Sequence, residues 1–112
     1  MSLTIFFTKD NLWSASVAGP ITKFLVETFK GDIYLSPVIQ AIYDENIDMI
    51  DLGEFTTERR LGILQAFSTQ LVPYMEKLLP NDISNREERI ELFQDLADKA
   101  ALCLKSEQSK NK

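Results

Sequence analysis

The chain has 112 residues, of which 45% are apolar and 26% are charged, a composition typical of one globular domain rather than of a disordered segment. Its 17 acidic and 12 basic residues give a net charge of −5, which argues against a nucleic-acid-binding protein because such proteins usually carry a basic stripe. Since there is no histidine and only one cysteine, Cys103, the composition excludes histidine-dependent nucleophiles, histidine-ligated zinc and an intrachain disulfide.

Two short strands are predicted at the start of the chain. Residues 3–8 are rich in β-branched and aromatic side chains, and residues 9–11 have the composition of a turn. Trp13, Ala15 and Val17 then alternate with serines, the pattern of a half-buried strand, so the two segments could form a hairpin. A helix that begins near Ser14 is the alternative.

Two helices are predicted next. Pro20 suits the first turn of a helix, and Gly31 supplies its C-terminal stop. The residues on one face of this helix are Ile21, Phe24, Leu25, Thr28 and Phe29. Ser36 and Pro37 predict a second start, and the helix continues as far as Asn46. Its apolar stripe is predicted at Val38, Ala41 and Ile42. Residues 47–52 either extend this helix or form a short strand.

The C-terminal half is predicted to be an antiparallel helical pair, residues 57–79 and 85–104. Thr56 or Thr57 can cap the first helix, with Glu58 in its first turn. Pro73 lies inside the pattern and should kink or split the helix near Val72. The apolar stripe of this segment is Leu61, Leu64, Phe67, Leu71, Met75 and Leu78.

A capping-box sequence, residues 84–87 (Ser-Asn-Arg-Glu), predicts where the last helix starts. Its apolar face consists of Ile90, Leu92, Phe93, Leu96, Ala97, Ala100 and Leu104. Cys103 lies on the same side and is predicted to be an inert core thiol. Residues 105–112 contain no apolar side chain and are predicted to be a frayed tail.

The predicted fold is therefore mainly α with a small N-terminal β element, an α+β class, with a single globular domain over residues 1–104. The longest uncharged stretch, residues 61–75, has 15 residues, fewer than the ~20 that a membrane-spanning helix needs. The N-terminus has no basic leader that would mark a signal peptide. We therefore expect a cytoplasmic protein that does not bind a membrane.

The chain has its highest density of acidic side chains at residues 44–54, and we call this stretch the acidic segment. Residues 1–58 carry nine acidic and three basic side chains, so the net negative charge of the chain belongs to its first half. The carboxylates of the segment are Asp44, Glu45, Asp48, Asp51 and Glu54. A basic partner would relieve the repulsion between these like charges. With Tyr43 as a candidate anchor, these residues form the predicted partner-binding site. A solvated acidic face is the alternative.

Two kinds of metal site are alternatives for the acidic residues of the chain. An EF-hand calcium loop starting at Asp44 would need glycine at its sixth position and glutamate at its twelfth, where the chain has Met49 and Phe55. A second acidic set lies on the last helix: Glu87, Glu88, Glu91, Asp95 and Asp98. Such helices hold magnesium in some all-α nucleotide pyrophosphohydrolases, but Arg86, Arg89 and Lys99 stand at helical spacing for intrahelical pairing. We therefore predict no metal, no cofactor and no catalytic residue.

Residues 34–43 (Tyr-Leu-Ser-Pro-Val-Ile-Gln-Ala-Ile-Tyr), running into the acidic segment, resemble the immunity proteins of bacterial contact-dependent growth inhibition and related polymorphic toxin systems. The resemblance implies a cytoplasmic protein that binds a cognate toxin domain, often a nuclease. A nuclease carries a basic surface for phosphates, and an acidic first half is the matching charge. The expected partner is thus a protein toxin, with no direct contact to nucleic acid.

Two other functions stay open at this point. A small adaptor that forms a homodimer through its C-terminal helices would expose an apolar stripe on them. A magnesium-dependent nucleotide pyrophosphohydrolase would bring carboxylates from two facing helices within reach of one ion.

Overall fold

Residues 3–8, 11–15, 18–45 and 49–110 are described by the computed structural model of the chain. The predicted turn residues Lys9 and Asp10, the predicted strand residue Val17 and the predicted site residue Asp48 lie outside these ranges. Contacts group into two units, Met1–Phe55 and Thr56–Lys112. The single domain over residues 1–104 stays a prediction.

The first unit contains a three-stranded sheet with strand order β2-β1-β3. The strands are β1 (Leu3–Phe6), β2 (Leu12–Ala15) and β3 (Met49–Asp51). β1 pairs antiparallel with β2, with Ile5 opposite Trp13, and parallel with β3, with Ile5 opposite Ile50. All three of these side chains are buried. Strand and helix are the alternatives predicted for residues 13–18 and 47–52, and these segments contain the end of β2 and the whole of β3, respectively.

Two helices, α1 (Ala18–Phe29) and α2 (Leu35–Asp44), pack together in the first unit. α1 buries Ile21, Phe24 and Leu25, as the predicted stripe requires. The predicted stripe of α2 is wrong: Val38 and Ala41 are exposed, and the buried residues are Leu35 and Ile39. These apolar residues form one broad stripe, with Leu35 and Ile39 toward one edge and Val38 at the other, and only the packing with neighbouring elements determines which edge is buried.

The second unit consists of three helices, α3 (Thr57–Thr69), α4 (Leu71–Leu78) and α5 (Arg86–Lys110). Both α3 and α4 contact α5. The Thr56 hydroxyl accepts a hydrogen bond from the Arg59 N–H, which confirms the predicted cap of α3. The buried side chains of this unit are Ile63, Leu64, Ala66, Phe67, Leu71, Met75, Leu79, Phe93, Leu96, Ala97 and Ala100.

The predicted interruption by Pro73 is present, but it lies at Gln70 rather than at Val72. A proline ring clashes with the carbonyl of the residue four positions earlier, which here is Thr69. α3 ends at Thr69 for this reason, and Pro73 occupies the first turn of α4, where its missing N–H costs no hydrogen bond.

Helix α5 is longer than predicted at its C-terminal end. It begins at Arg86, directly after the first two capping-box residues, and continues to Lys110 rather than ending at Leu104. Arg60 near the start of α3 pairs with Glu107 near the end of α5, and Arg86 donates a hydrogen bond to the backbone carbonyl of Glu76 in α4. These contacts give the antiparallel arrangement that was predicted for the helical pair.

The mainly α, α+β fold class is confirmed, with five α-helices and one small sheet among the described residues. No helix in the part of the chain that the structure describes is long and apolar enough to cross a membrane.

Candidate functional site

Four of the five carboxylates in the acidic segment are described, and all four are exposed. Asp44 is the last residue of α2 and Glu45 follows it. Asp51 ends β3, and Glu54 ends a short 3₁₀ helix, Leu52–Glu54. The acidic segment is therefore not one continuous helix, and its described carboxylates are distributed over α2, β3 and the 3₁₀ helix, with Glu45 directly after α2.

An open groove of about 530 Å³ lies between α2 and the chain from β3 to Phe55. We call it the α2–β3 groove. The residues that line it are Pro37, Val38, Ala41, Ile42, Met49, Ile50, Asp51, Glu54 and Phe55. Seven of the nine are apolar, the other two are acidic, and none is basic. Two residues of the predicted site, Asp51 and Glu54, thus belong to an apolar groove.

The start of α2 is held by a side-chain cap from the preceding turn. Asp32 Oδ1 accepts hydrogen bonds from the backbone N–H groups of Tyr34 and Leu35, each at 2.9 Å. The Asp32 carbonyl also accepts a bond from the Ser36 N–H. These bonds satisfy N–H groups that have no partner inside the helix, so Asp32 takes the capping role that the sequence pattern gave to Ser36.

The exposed face of α2 is apolar over most of its length. Tyr34, Val38 and Ala41 recur at helical spacing, so they share one side of the helix. All three are exposed, and 46% of the Val38 surface is accessible. Across the groove, Met49 of β3 has 52% of its surface accessible. Exposed apolar side chains that lie close together are typical of a binding surface.

The Asp51 side chain is exposed and also accepts a hydrogen bond within its own turn. Its Oδ1 accepts a hydrogen bond from the Gly53 N–H at 2.9 Å and so caps the 3₁₀ helix. A Cβ atom at Gly53 would meet the same oxygen at 3.1 Å, which is a close contact. The local turn thus holds the Asp51 side chain at the wall of the groove.

None of the four described carboxylates forms an ion pair with a described residue. Asp44 accepts a hydrogen bond from the Gln40 amide, and Asp51 accepts the bond from Gly53. The ion pair that the described residues do contain joins Arg60 and Glu107 in the second unit. The negative charge of the acidic segment is therefore not neutralised by described side chains.

Tyr43 is exposed but does not line the groove. It follows Val38 by five positions, which places it about 140° around the helix from that residue. A contact between Tyr43 and a partner stays a prediction, and it would require a surface wider than the groove.

The second acidic set lies on α5, where all five carboxylates are exposed. Gln94 donates a hydrogen bond to Asp98. Among the described residues, no three Asp, Glu or Cys side chains come close enough together to hold a metal ion.

The C-terminal helices expose few large apolar side chains. On α3, α4 and α5 these are Leu78 and Leu102 among the described residues, whereas six lie in the first unit. The stripe that an adaptor would use for dimerisation is instead largely buried, at residues such as Phe67, Leu71 and Phe93. Cys103 is half-buried.

The α2–β3 groove is not part of the site predicted from the sequence. The signal was present in α2, whose ten residues combine two apolar pairs at helical spacing, Leu35 with Ile39 and Val38 with Ile42. The two pairs adjoin on one broad apolar stripe, and a helix with such a stripe can bury one edge and present the other to a partner. No sequence pattern predicts that Met49 and Phe55 line the groove, because their positions depend on how β3 pairs with β1.

No known protein family, curated protein or solved structure matches the chain. The function is therefore inferred from the residues and the geometry described above.

Proposed function

We propose that this protein is an immunity protein that binds and neutralises a cognate toxin domain, a basic nuclease, in the bacterial cytoplasm. The observation that carries the proposal is the uncompensated charge of the acidic segment: four exposed carboxylates without a basic described partner, two of them in an apolar groove. The resemblance of residues 34–43 to immunity proteins supports the same function.

Charge accounts for how such a complex would form. A nuclease must hold phosphates, so it carries lysines and arginines around its active site. An acidic surface attracts that region over a distance, which accelerates association most strongly at low salt. An inhibitor bound there occupies the path of the nucleic acid. The protein itself needs no catalytic group to act in this way.

Apolar contacts would hold the complex once it has formed. Protein interfaces combine an apolar centre with a polar rim, and the α2–β3 groove has this composition. Val38 and Met49 supply exposed apolar surface, and Asp51 and Glu54 supply charge beside it. We propose that rim charges act mainly on the association rate and that groove contacts act mainly on dissociation.

The proposal is tested with the product of the neighbouring gene, which we expect to end in the cognate toxin domain. Co-expression is expected to restore growth that the toxin domain alone abolishes, and the purified protein is expected to inhibit its nuclease activity. The triple variant Asp44→Asn, Asp48→Asn and Asp51→Asn keeps side-chain hydrogen-bond acceptors but removes three charges. We expect it to associate about tenfold more slowly at low salt and to show a flatter salt dependence.

The matched control is Glu87→Gln, Glu88→Gln and Glu91→Gln on α5, which removes the same charge from exposed positions elsewhere. This control is expected to associate at nearly the wild-type rate. Equal association rates and salt slopes for the wild type and the triple variant would mean that the acidic segment is a solvated face. Failure to bind or inhibit the neighbouring toxin would refute the immunity function.

A further inference from the structure

The apolar surface at the α2–β3 groove extends beyond the groove itself. Tyr34 precedes Val38 by one helical turn and is exposed on the same side of α2. The surface therefore continues along the helix toward its N-terminus. A small molecule that filled the groove would leave this extension uncovered, whereas a protein segment could cover both.

The charge of the groove restricts the chemistry of its occupant. Asp51 and Glu54 both line the groove, and the lining contains no lysine or arginine. A second copy of this chain that docked through its acidic first half would bring further negative charge to the same place. An occupant that carries positive charge beside an apolar group is complementary to both properties of the lining.

We propose that the α2–β3 groove receives one apolar side chain of a partner protein segment, and that lysine or arginine residues next to it pair with Asp51 and Glu54. The inference rests on the proposed function in that it assumes a protein partner, but it does not require the partner to be a nuclease. It defines what the partner must present: an apolar residue flanked by basic ones on an exposed segment.

The geometry defines a role for each wall of the groove. Val38 and Ile42 on α2, with Met49 opposite, contact the apolar side chain and remove it from water. Glu54 makes no hydrogen bond to a described residue, so both of its oxygens are available to a cation. One carboxylate oxygen of Asp51 accepts the hydrogen bond from the Gly53 N–H, and the other can pair with a lysine or arginine of the partner. Charge-assisted bonds of this kind are short and directional.

The test uses the full-length protein labelled with ¹⁵N and three synthetic nine-residue peptides. The first has leucine at its centre with lysine on both sides, the second replaces the lysines with glutamate, and the third replaces the leucine with serine. Amide shifts are followed during titration. We expect the first peptide to shift the amides of Val38, Ala41, Met49 and Glu54, and we expect the other two to bind at least about tenfold more weakly.

Two pairs of variants separate the charge from the apolar contact. Glu54→Gln removes a groove charge, and Glu88→Gln removes an exposed charge on α5 that does not line the groove. We expect the first to weaken binding about two- to fivefold and the second to have little effect. Val38→Thr keeps the side-chain shape and should weaken binding about threefold, whereas Ile33→Thr, outside the groove lining, should not.

Three outcomes would overturn the inference. The first is the absence of shifts at the groove amides with any peptide. The second is equal binding of the leucine and serine peptides, which would leave only charge attraction. The third is binding of spermidine as tightly as the first peptide, which would make the groove a site for small cations. Peptide binding at the groove combined with failure to inhibit the toxin would refute the immunity function and leave this inference standing.

Discussion

Arg60 and Glu107 form an ion pair across 47 residues of sequence: Arg60 Nε donates to Glu107 Oε1 at 2.9 Å. Their side chains are 16% and 19% exposed, so the pair is partly shielded from water. It joins the first turns of α3 to the last turns of α5. The pair connects this part of α5 to α3.

Replacing Glu107 with glutamine should loosen the end of α5. The substitution keeps the shape and a hydrogen-bond acceptor but removes the charge, leaving Arg60 partly buried without its carboxylate. We expect a loss of about 0.5–1.5 kcal/mol in unfolding free energy and faster amide exchange beyond Leu102. Glu91→Gln, exposed on the same helix, is the control and should change neither. Unchanged exchange in the Glu107 variant would mean that the pair contributes nothing to the helix end.

Truncation of Leu71 should lower the free energy of unfolding more than truncation of most other residues. It is fully buried at the start of α4, so Leu71→Ala leaves a cavity. We expect a loss of about 2–4 kcal/mol, measured by denaturant titration. Leu102→Ala is the control, because Leu102 on α5 is 71% exposed and its truncation should cost less than about 0.5 kcal/mol. A loss below about 0.5 kcal/mol at Leu71 would contradict its assignment to the core.

Removal of the Asp32 cap should weaken α2 and with it the groove. Asp32→Ala leaves the Tyr34 and Leu35 N–H groups without their side-chain acceptor. We expect a loss of about 1 kcal/mol and faster amide exchange over Leu35–Asp44. Asp32→Asn can accept the same bonds and should retain most of the stability. Equal exchange rates in the alanine variant and the wild type would contradict the capping role.

The purified protein should not hydrolyse nucleoside triphosphates in the presence of magnesium. The chain has no histidine, and none of its four glycines begins a phosphate-binding loop. Release of pyrophosphate or phosphate is measured over several hours at high protein concentration. Hydrolysis that disappears in Glu91→Gln would contradict the prediction and favour the nucleotide pyrophosphohydrolase.

Much of the secondary structure follows from local patterns. The three- and four-residue spacings of Leu64, Phe67 and Leu71 predicted the buried face of α3 and α4 because a helix repeats every 3.6 residues. The cap at Thr56 and the break caused by Pro73 were also local, since each depends on hydrogen bonds within one or two turns. The break was predicted near Val72 because sequence patterns locate element ends less well than element types.

The candidate site depended more on long-range pairing. The exposed acidic segment was visible in the sequence, but its separation into the end of α2 and the chain after β3 was not. Both a helical extension of α2 and a strand were predicted as alternatives for residues 47–52. The structure contains a strand there, because Ile50 pairs with Ile5 in a parallel ladder. Such a pair joins positions far apart in the chain, and no local pattern encodes it.

The sequence by itself therefore determined the buried stripe of α1, most of the buried face of α3, α4 and α5, the cap of α3 at Thr56, and the excess of negative charge in the first half. These properties depend on side-chain type and on neighbours within about one helical turn. Only the tertiary structure decided which edge of the apolar stripe of α2 is buried. Leu35 and Ile39 are buried, whereas Val38 faces a groove with Asp51 and Glu54, because burial depends on which elements pack beside the helix rather than on the hydrophobicity of its residues.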